Sequence, residues 1–436
     1  MPDALAVHRT TIPGLLLLDL PVHRDGRGWF KENWQHQKML DLGLPDFKPV
    51  QNNVSFNDAV GTTRGIHAEP WDKFISVATG RIFGAWVDLR EGATFGTVFT
   101  AELGPSSAIY VPRGVGNAYQ TLEPDTAYTY LVNDHWSPSA DYTYLNLADE
   151  SAAIAWPIPL SEAEVSDKDR QHPSLAEVTP IKPRKTLILG ASGQLGQALL
   201  EAFPDADARS RAELDITDPS SYADLDWRSY GVVINAAAYT KVDEAETTQG
   251  RRDAWRTNVT ALVHLARAAI AHELTLVHIS SDYVFDGEAD EHTIDEGPSP
   301  LGVYGQTKAA GDAVVMTVPR HIIVRTSWVV GAGANFVDTM RRLAADGACP
   351  SVVDDQIGRL TSTAHIAAEI RRILTSPRPY GVHHVSGPGE PTSWYQIARA
   401  VFAEAGRDPD DITPVSSQEY GRGKALAPRP RNSVLG

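Results

Sequence analysis

The run Lys185-Thr-Leu-Ile-Leu-Gly-Ala-Ser-Gly-Gln-Leu-Gly196 constrains this chain more than any other stretch, and it lies in the middle of it. A short β-rich segment leads into Gly190, Gly193 and Gly196, with Gln194 and Leu195 inside the turn and the helix-forming Gln197-Ala-Leu-Leu-Glu201 after it. That is the strand–turn–helix setting of a dinucleotide-binding unit. The glycines let the backbone approach a pyrophosphate, and the helix N-terminus supplies partial positive charge to hold it. Such a unit normally opens an enzyme. Here about 180 residues precede it, so the chain holds two enzymes or one enzyme with a large appendage.

A chain of 436 residues fits two domains, or three with a small lobe. The formal net charge of −16 would repel a phosphate backbone and argues against a nucleic-acid partner. The single Cys349 excludes a disulfide framework and cysteine-rich metal sites. No apolar run approaches a membrane span, Leu15-Leu-Leu-Leu18 being one strand long, and Met1-Pro-Asp-Ala4 lacks a signal-peptide plan. A cytoplasmic enzyme with no membrane partner is the expectation.

The two halves differ in texture. Residues 1–160 read as many short strands with Gly and Pro punctuation, among them Phe74-Ile-Ser-Val-Ala78, Ile82-Phe-Gly-Ala-Trp-Val87 and Ala108-Ile-Tyr-Val-Pro112, the spacing of an all-β barrel or sandwich. Residues 161–184 are polar and proline-bearing and read as a linker with a short helix at its start. From Lys185 to Gly436 strands alternate with helical stretches, which predicts an α/β domain on a parallel sheet.

A glycine pattern alone arises by chance in many loops, but four further features accompany it. Small residues Ala236, Ala237 and Ala238 follow Asn235 at a strand end, leaving room for a cofactor. His278-Ile-Ser-Ser-Asp-Tyr-Val-Phe285 places hydroxyls at another strand end, and Arg325-Thr-Ser-Trp-Val329 ends a further strand. Tyr304 and Lys308 stand four apart, on one helix face. Reduction of a ketone by a nicotinamide needs a proton for the developing alkoxide. A tyrosine beside a cation can give it, because the cation favours phenolate, and Ser281 can hydrogen-bond the same oxygen. A surface Tyr and Lys at helical spacing is the bland alternative, and the co-placed motifs weigh against it.

These motifs, with Asn235-Ala-Ala-Ala-Tyr-Thr-Lys-Val-Asp-Glu-Ala-Glu246, Asp355-Gln-Ile-Gly358 and Arg429-Pro-Arg-Asn-Ser433, make residues 185–435 resemble the extended short-chain dehydrogenase/reductases and, within them, the dTDP-4-dehydrorhamnose reductases. The resemblance implies a Rossmann fold, a doubly wound parallel sheet with a small substrate lobe. It puts the catalytic trio on Ser281, Tyr304 and Lys308, substrate contacts on Asp282, Tyr283 and Trp328, and an adenine contact on Asp215 and Ile216. The acidic residue that would bind both ribose hydroxyls is due near 206–208; Arg209-Ser-Arg211 follows, and either suits a 2′-phosphate or is a solvated loop. NADPH is the expected cofactor, with NADH tolerated. Two departures stand out. Gln197-Ala198 replaces the glutamate that in some members helps bridge subunits through Mg²⁺, and Leu435-Gly436 closes the sequence where the family usually adds a final helix.

In the first half a lone His67 would usually be structural. However, Asp25-Gly-Arg-Gly-Trp-Phe-Lys-Glu32, Gln51-Asn-Asn-Val-Ser55, Arg64-Gly-Ile-His67, Val87-Asp-Leu-Arg90, Thr94-Phe-Gly96, Tyr130, Trp136-Ser-Pro138 and Asp149-Glu-Ser-Ala-Ala-Ile-Ala-Trp-Pro157 occur in one order. Together they resemble the dTDP-4-dehydrorhamnose 3,5-epimerases, which implies a cupin-type jelly roll. A 4-keto sugar acidifies its neighbouring C–H bonds, so epimerisation needs a base on one face, an acid on the other and a cation at the oxygen. The resemblance assigns the base to His67, the carboxylate behind it to Asp149 and the acid to Tyr130. It also puts Lys73 and Arg64 at the enolate oxygen and Arg27, Glu32, Gln51 and Asn53 on the nucleotide and sugar. No metal is expected, since His67-Ala-Glu69 supplies too few ligands.

This half departs from its family at Asn117, where a histidine near the substrate carbonyl is usual, at Trp136, where a second tyrosine is usual, and in a shorter loop from His67 to Lys73. The resemblance implies a bifunctional enzyme making dTDP-L-rhamnose, with a homodimer through the jelly roll. Two alternatives stay open: another dTDP- or UDP-deoxysugar as substrate, and a jelly roll that only binds or dimerises.

Overall fold

A computed structural model describes residues 4–135, 142–222, 225–376 and 379–436. The chain divides into two units, Met1–Pro183 and Arg184–Gly436. The boundary differs from the expected one, because residues 161–183 belong to the first unit. Glu164–Val165 adds a parallel strand beside Thr62 and Thr63, and Ile181 bridges to Arg90. Val165, Leu175, Val178 and Ile181 pack with Ile66, Val87, Leu89 and Leu145. The stretch is polar on average, but its scattered apolar residues are the ones that bind it to the sheet, each contributing up to about 1.5–3 kcal/mol when fully buried.

The first unit holds two six-stranded sheets. One runs, in spatial order, Ala6–Arg9, Leu16–Asp19, Ser107–Val111, Lys73–Thr79, Thr126–Val132 and Gln51–Asn57, all pairs antiparallel. The other runs Thr143–Tyr144, Thr62–Ala68, Val115–Thr121, Ile82–Asp88 and Val98–Leu103, with Glu164–Val165 beside Thr62–Ala68. Ile75, Val77, Ile109 and Tyr128 of the first sheet meet Ile82, Trp86 and Tyr119 of the second in one core. The two sheets therefore sit face to face, and side chains from both converge on the space between them.

In the second unit a six-stranded parallel sheet runs Asp207–Arg209, Lys185–Leu189, Tyr230–Asn235, Thr275–Ser281, His321–Thr326 and Gly381–His384. Leu187 and Leu189 point into a core with Leu262 and Leu265 of the helix Ala261–Ala271. Ile188, between them, points into another core with Leu199 of Gln194–Ala202 and Ile366 and Ile370 of Thr363–Leu374. Burial on both faces is why this strand reads as an unbroken apolar run. The chain steps from Lys185–Leu189 outward to Asp207–Arg209 and back to Tyr230–Asn235. That reversal opens a crevice at the carboxyl ends of the strands, where open α/β sheets take their ligands. A separate small core of Met340, Val352, Ile397, Val401, Phe402 and Ile412 forms the lobe expected beyond the sheet.

Candidate active sites

Gln51, Asn53, His67, Glu69, Trp71, Tyr130, Val132, Tyr142, Tyr144 and Lys168 line a cavity of about 660 Å³ in the first unit. His67 comes from Thr62–Ala68 of one sheet and Tyr130 from Thr126–Val132 of the other. His67 Nε2 lies 3.0 Å from Asp169 Oδ1. Asp169, not Asp149, is thus the carboxylate beside His67. The Asp149 carboxylate instead accepts the backbone N–H groups of Ser151, Ala152 and Leu175 and anchors a loop. Burial alone would raise the Asp169 carboxyl, but the hydrogen bond and charge of His67 and the Gly65 N–H hold it below the usual range.

Asp169 stands on the short helix Asp167–Arg170, capped by Ser166, whose hydroxyl accepts the Asp169 N–H at 3.1 Å. The pattern Ser166-Asp-Lys-Asp169 is a readable helix start, and it was the available signal for a residue that lay in the expected linker. Two further side chains come with it. Lys168 lies over the Tyr144 ring, and His172 stacks on Tyr144 and meets His67 edge to face.

Lys73 is buried, ion-paired with Glu69, and its Nζ lies 5.1 Å from the centroid of the Tyr130 ring. Burial, then the Glu69 charge, raise the Tyr130 phenol, keeping it protonated. Asn117 sits beneath the wall: its amide donates to the His67 carbonyl and to Glu69, and its oxygen accepts the Tyr128 hydroxyl. Gln51 and Asn53 line the cavity as expected, and they bond each other. Arg64, Arg27 and Glu32 are not brought to its wall; Arg64 bonds Asn57, Arg27 pairs with Asp25, and Glu32 pairs with Lys38. Trp136 lies outside the described residues.

In the second unit a crevice of about 610 Å³ is lined by the residues the sequence pointed to: Gly190, Gly193, Gln194, Leu195, Arg211, Asp215, Ile216, Ala236, Ala237, Ala238, Ser281, Asp282, Tyr283, Tyr304, Lys308 and Trp328. Gly190 has φ +81°, and a Cβ there would come within 2.7 Å of the Ala237 nitrogen. Gly196 packs beneath the turn rather than lining it, where a Cβ would meet the Gly190 carbonyl oxygen at 2.3 Å. Gly193 caps Gln194–Ala202 without a side-chain bond, so the first turn of that helix offers its N–H groups to an anion. The cradle fits a dinucleotide.

Arg209 does not line the crevice. Its guanidinium pairs with Asp207 Oδ2 at 3.0 Å, on which the Tyr230 hydroxyl also converges at 2.5 Å. Asp207 is the acidic residue in the window where a ribose-binding carboxylate was due, and it is already engaged by those two partners. Arg211 does line the crevice, near Asp215.

Ser281 Oγ donates to Asp282 Oδ1 at 3.0 Å, and the Tyr283 and Tyr304 rings meet edge to face. Burial, then the Asp282 charge, push the Tyr304 phenol up, and burial alone lowers the Lys308 ammonium to about 8. The expected lowering of the tyrosine is absent because Lys308 turns to the Ile279 carbonyl and His278. Sequence reasoning missed Trp394, which stacks on Trp328 with centroids 3.8 Å apart. It also missed Asn258, which clamps both backbone groups of Tyr239 and the Thr307 hydroxyl. A second cavity of about 700 Å³, lined in part by Arg429, Arg431 and Lys424, meets the crevice at Tyr283 and Trp394.

A parallel-sheet crevice with a glycine cradle, lined by Ser281, Tyr304 and Lys308, has the make-up of a dinucleotide-dependent reductase, and a two-sheet cavity lined by His67 and Tyr130, with Asp169 bonded to His67, precedes it in the chain. The family model described as RmlD substrate binding domain matches residues 184–436, and that described as dTDP-4-dehydrorhamnose 3,5-epimerase matches residues 9–177. The first unit is similar to "Protein RmlC homolog" of Streptococcus pyogenes serotype M6, with 51% identity over 180 residues, 40% of this chain and 90% of that protein. The second is similar to the dTDP-4-dehydrorhamnose reductase of Aggregatibacter actinomycetemcomitans, with 39% identity over 268 residues, 58% of this chain and 90% of that protein. The crystal structure of the Bacillus anthracis dTDP-4-dehydrorhamnose reductase in complex with NADP aligns with TM-score 0.53 and 35% identity, covering 58% of this chain and 90% of that one. The chain belongs to both families, as an epimerase domain fused to a reductase domain.

Proposed function

We propose that this chain converts dTDP-4-dehydro-6-deoxy-D-glucose to dTDP-L-rhamnose, epimerising at C3 and C5 in a cupin-type jelly roll and reducing C4 in a Rossmann domain. The observation that carries the reading is the pairing of His67 and Tyr130 on opposite walls of one cavity. Inversion requires a proton to leave one face and arrive at the other. His67, held in place by its hydrogen bond with Asp169, removes the proton that the ketone acidifies. Tyr130, kept protonated by its surroundings, returns one from the far side. Lys73, beside Tyr130 and partly neutralised by Glu69, balances the enolate charge. Gln51 and Asn53 hold the sugar nucleotide. This chemistry calls for no cofactor.

In the second unit Gly190, Gly193 and the first turn after it would hold the pyrophosphate, with Asp215 and Ile216 at the adenine. Arg211 favours NADPH by meeting a 2′-phosphate, and the prior engagement of Asp207 weakens the case for NADH. When bound, the nicotinamide supplies the hydride. Tyr304 donates the proton to the C4 oxygen, Ser281 hydrogen-bonds that oxygen, and Lys308 restores the phenol's proton. Tyr283, Trp328 and Asp282 wall the sugar, while Arg429 and Arg431 suit the diphosphate.

Exposed Trp29, Phe30, Val54 and Phe56 support a homodimer through the first unit. Among the described residues no helix is long and apolar enough to cross a membrane. The test is NADPH oxidation with dTDP-4-dehydro-6-deoxy-D-glucose and NMR of the product. dTDP-L-rhamnose is expected, with loss on His67→Ala and recovery on adding a separate epimerase. NADPH consumption only when an epimerase is supplied would reduce the first unit to a binding module.

A further inference from the structure

We infer that His67, Asp169 and His172 form a site for a zinc-class divalent cation, and that occupation of this site switches the epimerase off. The ligand atoms of the three side chains all lie within 4.8 Å of one another. Asp169 Oδ1 is 3.0 Å from His67 Nε2 and 3.7 Å from His172 Nε2. Donors about 2.0–2.2 Å from a tetrahedral ion stand roughly 3.3–3.5 Å apart; the two Asp169 distances bracket that spacing, and the two imidazoles, within 4.8 Å of each other, would draw together to share one ion.

His172 is 8% exposed, and neither ring nitrogen has a hydrogen bond of good geometry, its polar neighbours being the Leu145 backbone and Asp169. Its ring is fixed by the stack on Tyr144 and the edge contact with His67, so its nitrogens are held beside the His67–Asp169 pair. Asp169 is 6% exposed. Two imidazoles and one carboxylate suit zinc and its first-row neighbours; magnesium and calcium prefer all-oxygen sets.

The consequence for catalysis follows from the ring's two nitrogens. In the metal-free pair the Nε2 proton faces Asp169, which leaves the Nδ1 lone pair to act as base. A cation at Nε2 binds through the Nε2 lone pair once the single ring proton has moved to Nδ1, where it occupies the lone pair that acted as base. The neutral imidazole then has nothing left with which to accept a proton from the sugar. The metal lies on the Asp169 side of the ring, so the sugar nucleotide is not displaced. Inhibition should be non-competitive toward it.

This inference rests on His67 as the base for its effect on activity, but not for binding. The experiment is a titration of the full-length protein with Co²⁺, followed by its visible ligand-field bands, together with Zn²⁺ inhibition of epimerisation read by solvent deuterium exchange into the sugar. One equivalent of Co²⁺ should give intense tetrahedral bands. Micromolar Zn²⁺ should stop exchange non-competitively and reversibly on chelation, while reduction of ready-epimerised substrate continues. His172→Gln should weaken the metal by at least about tenfold. X-ray absorption of the zinc-loaded native protein should give two imidazole ligands, a readout that needs no variant. Equal Co²⁺ binding by native and His172→Gln proteins, or a zinc shell without imidazole, would overturn the site. Imidazole-ligated zinc with undiminished exchange would leave the site standing, and would overturn both the switch and His67 as base.

Discussion

Lys308 Nζ lies 2.6 Å from the carbonyl oxygen of Ile279, on the strand that also carries Ser281. The ammonium is therefore pinned from behind by backbone, with His278 Nε2 3.3 Å away, in surroundings dry enough to lower it to about 8. A lysine whose charge is lost as pH rises through that value sets an upper limit on reduction. kcat/KM for the ready-epimerised substrate should fall about tenfold per pH unit above roughly 8. A profile flat to pH 10 would remove Lys308 from the proton path.

Asp282 titrates in the opposite sense. Burial raises its carboxyl to about 6 from 3.8, so the folded unit binds a proton that the unfolded chain has lost between those values. That stabilisation is present below pH 4 and is lost as pH rises through 6. Asp282→Asn removes the penalty, so protection of the Thr275–Ser281 amides against hydrogen exchange should rise by on the order of 2 kcal/mol at pH 8 and hardly change at pH 4.

The carboxylate beside His67 is Asp169, where the sequence resemblance had pointed to Asp149. Asp169→Asn should slow deuterium exchange into the sugar by about 10²-fold or more and leave reduction intact. Asp149→Asn should leave exchange chemistry in place while loosening the 149–175 loop by about 1 kcal/mol. The reverse ranking would restore Asp149 to the site.

Arg211 is the exposed cation on the cofactor crevice. Losing a charge-assisted contact to a 2′-phosphate costs about 1.5–3 kcal/mol. Arg211→Ala should therefore raise KM for NADPH by roughly 10–100-fold and leave KM for NADH nearly unchanged. An equal rise for both would mean that the arginine acts on the fold or on the shared pyrophosphate.

Most of the second unit was legible because its function is written in local strings. A glycine turn, a row of alanines and a Tyr–Lys pair four apart each fix their own geometry, and the sheet needs only to bring strand ends together. The misses there were contacts across distance: Trp394 reaches Trp328 from the separate lobe, and Asp207 is taken by Tyr230 from a strand 23 positions on. The first unit was legible as strands, and His67 and Tyr130 do line one cavity, yet the carboxylate beside His67 was misplaced. His67 and Asp169 are 102 positions apart, and no short-range pattern joins them. Apolar residues in 161–183 were diluted by Ser, Asp, Lys and Pro, so a stretch that packs on the sheet read as a spacer.

The tail of the first unit also decides where these two enzymes can be parted. A cut after 160, at the end of the strand-rich texture, would leave both sheets whole except for their last short strand, yet it would release an epimerase domain without Asp169, the carboxylate that holds His67. A cut at 183 keeps that group. The gene segment to transplant, when one activity is wanted without the other, is thus longer by a score of residues than its visible architecture suggests.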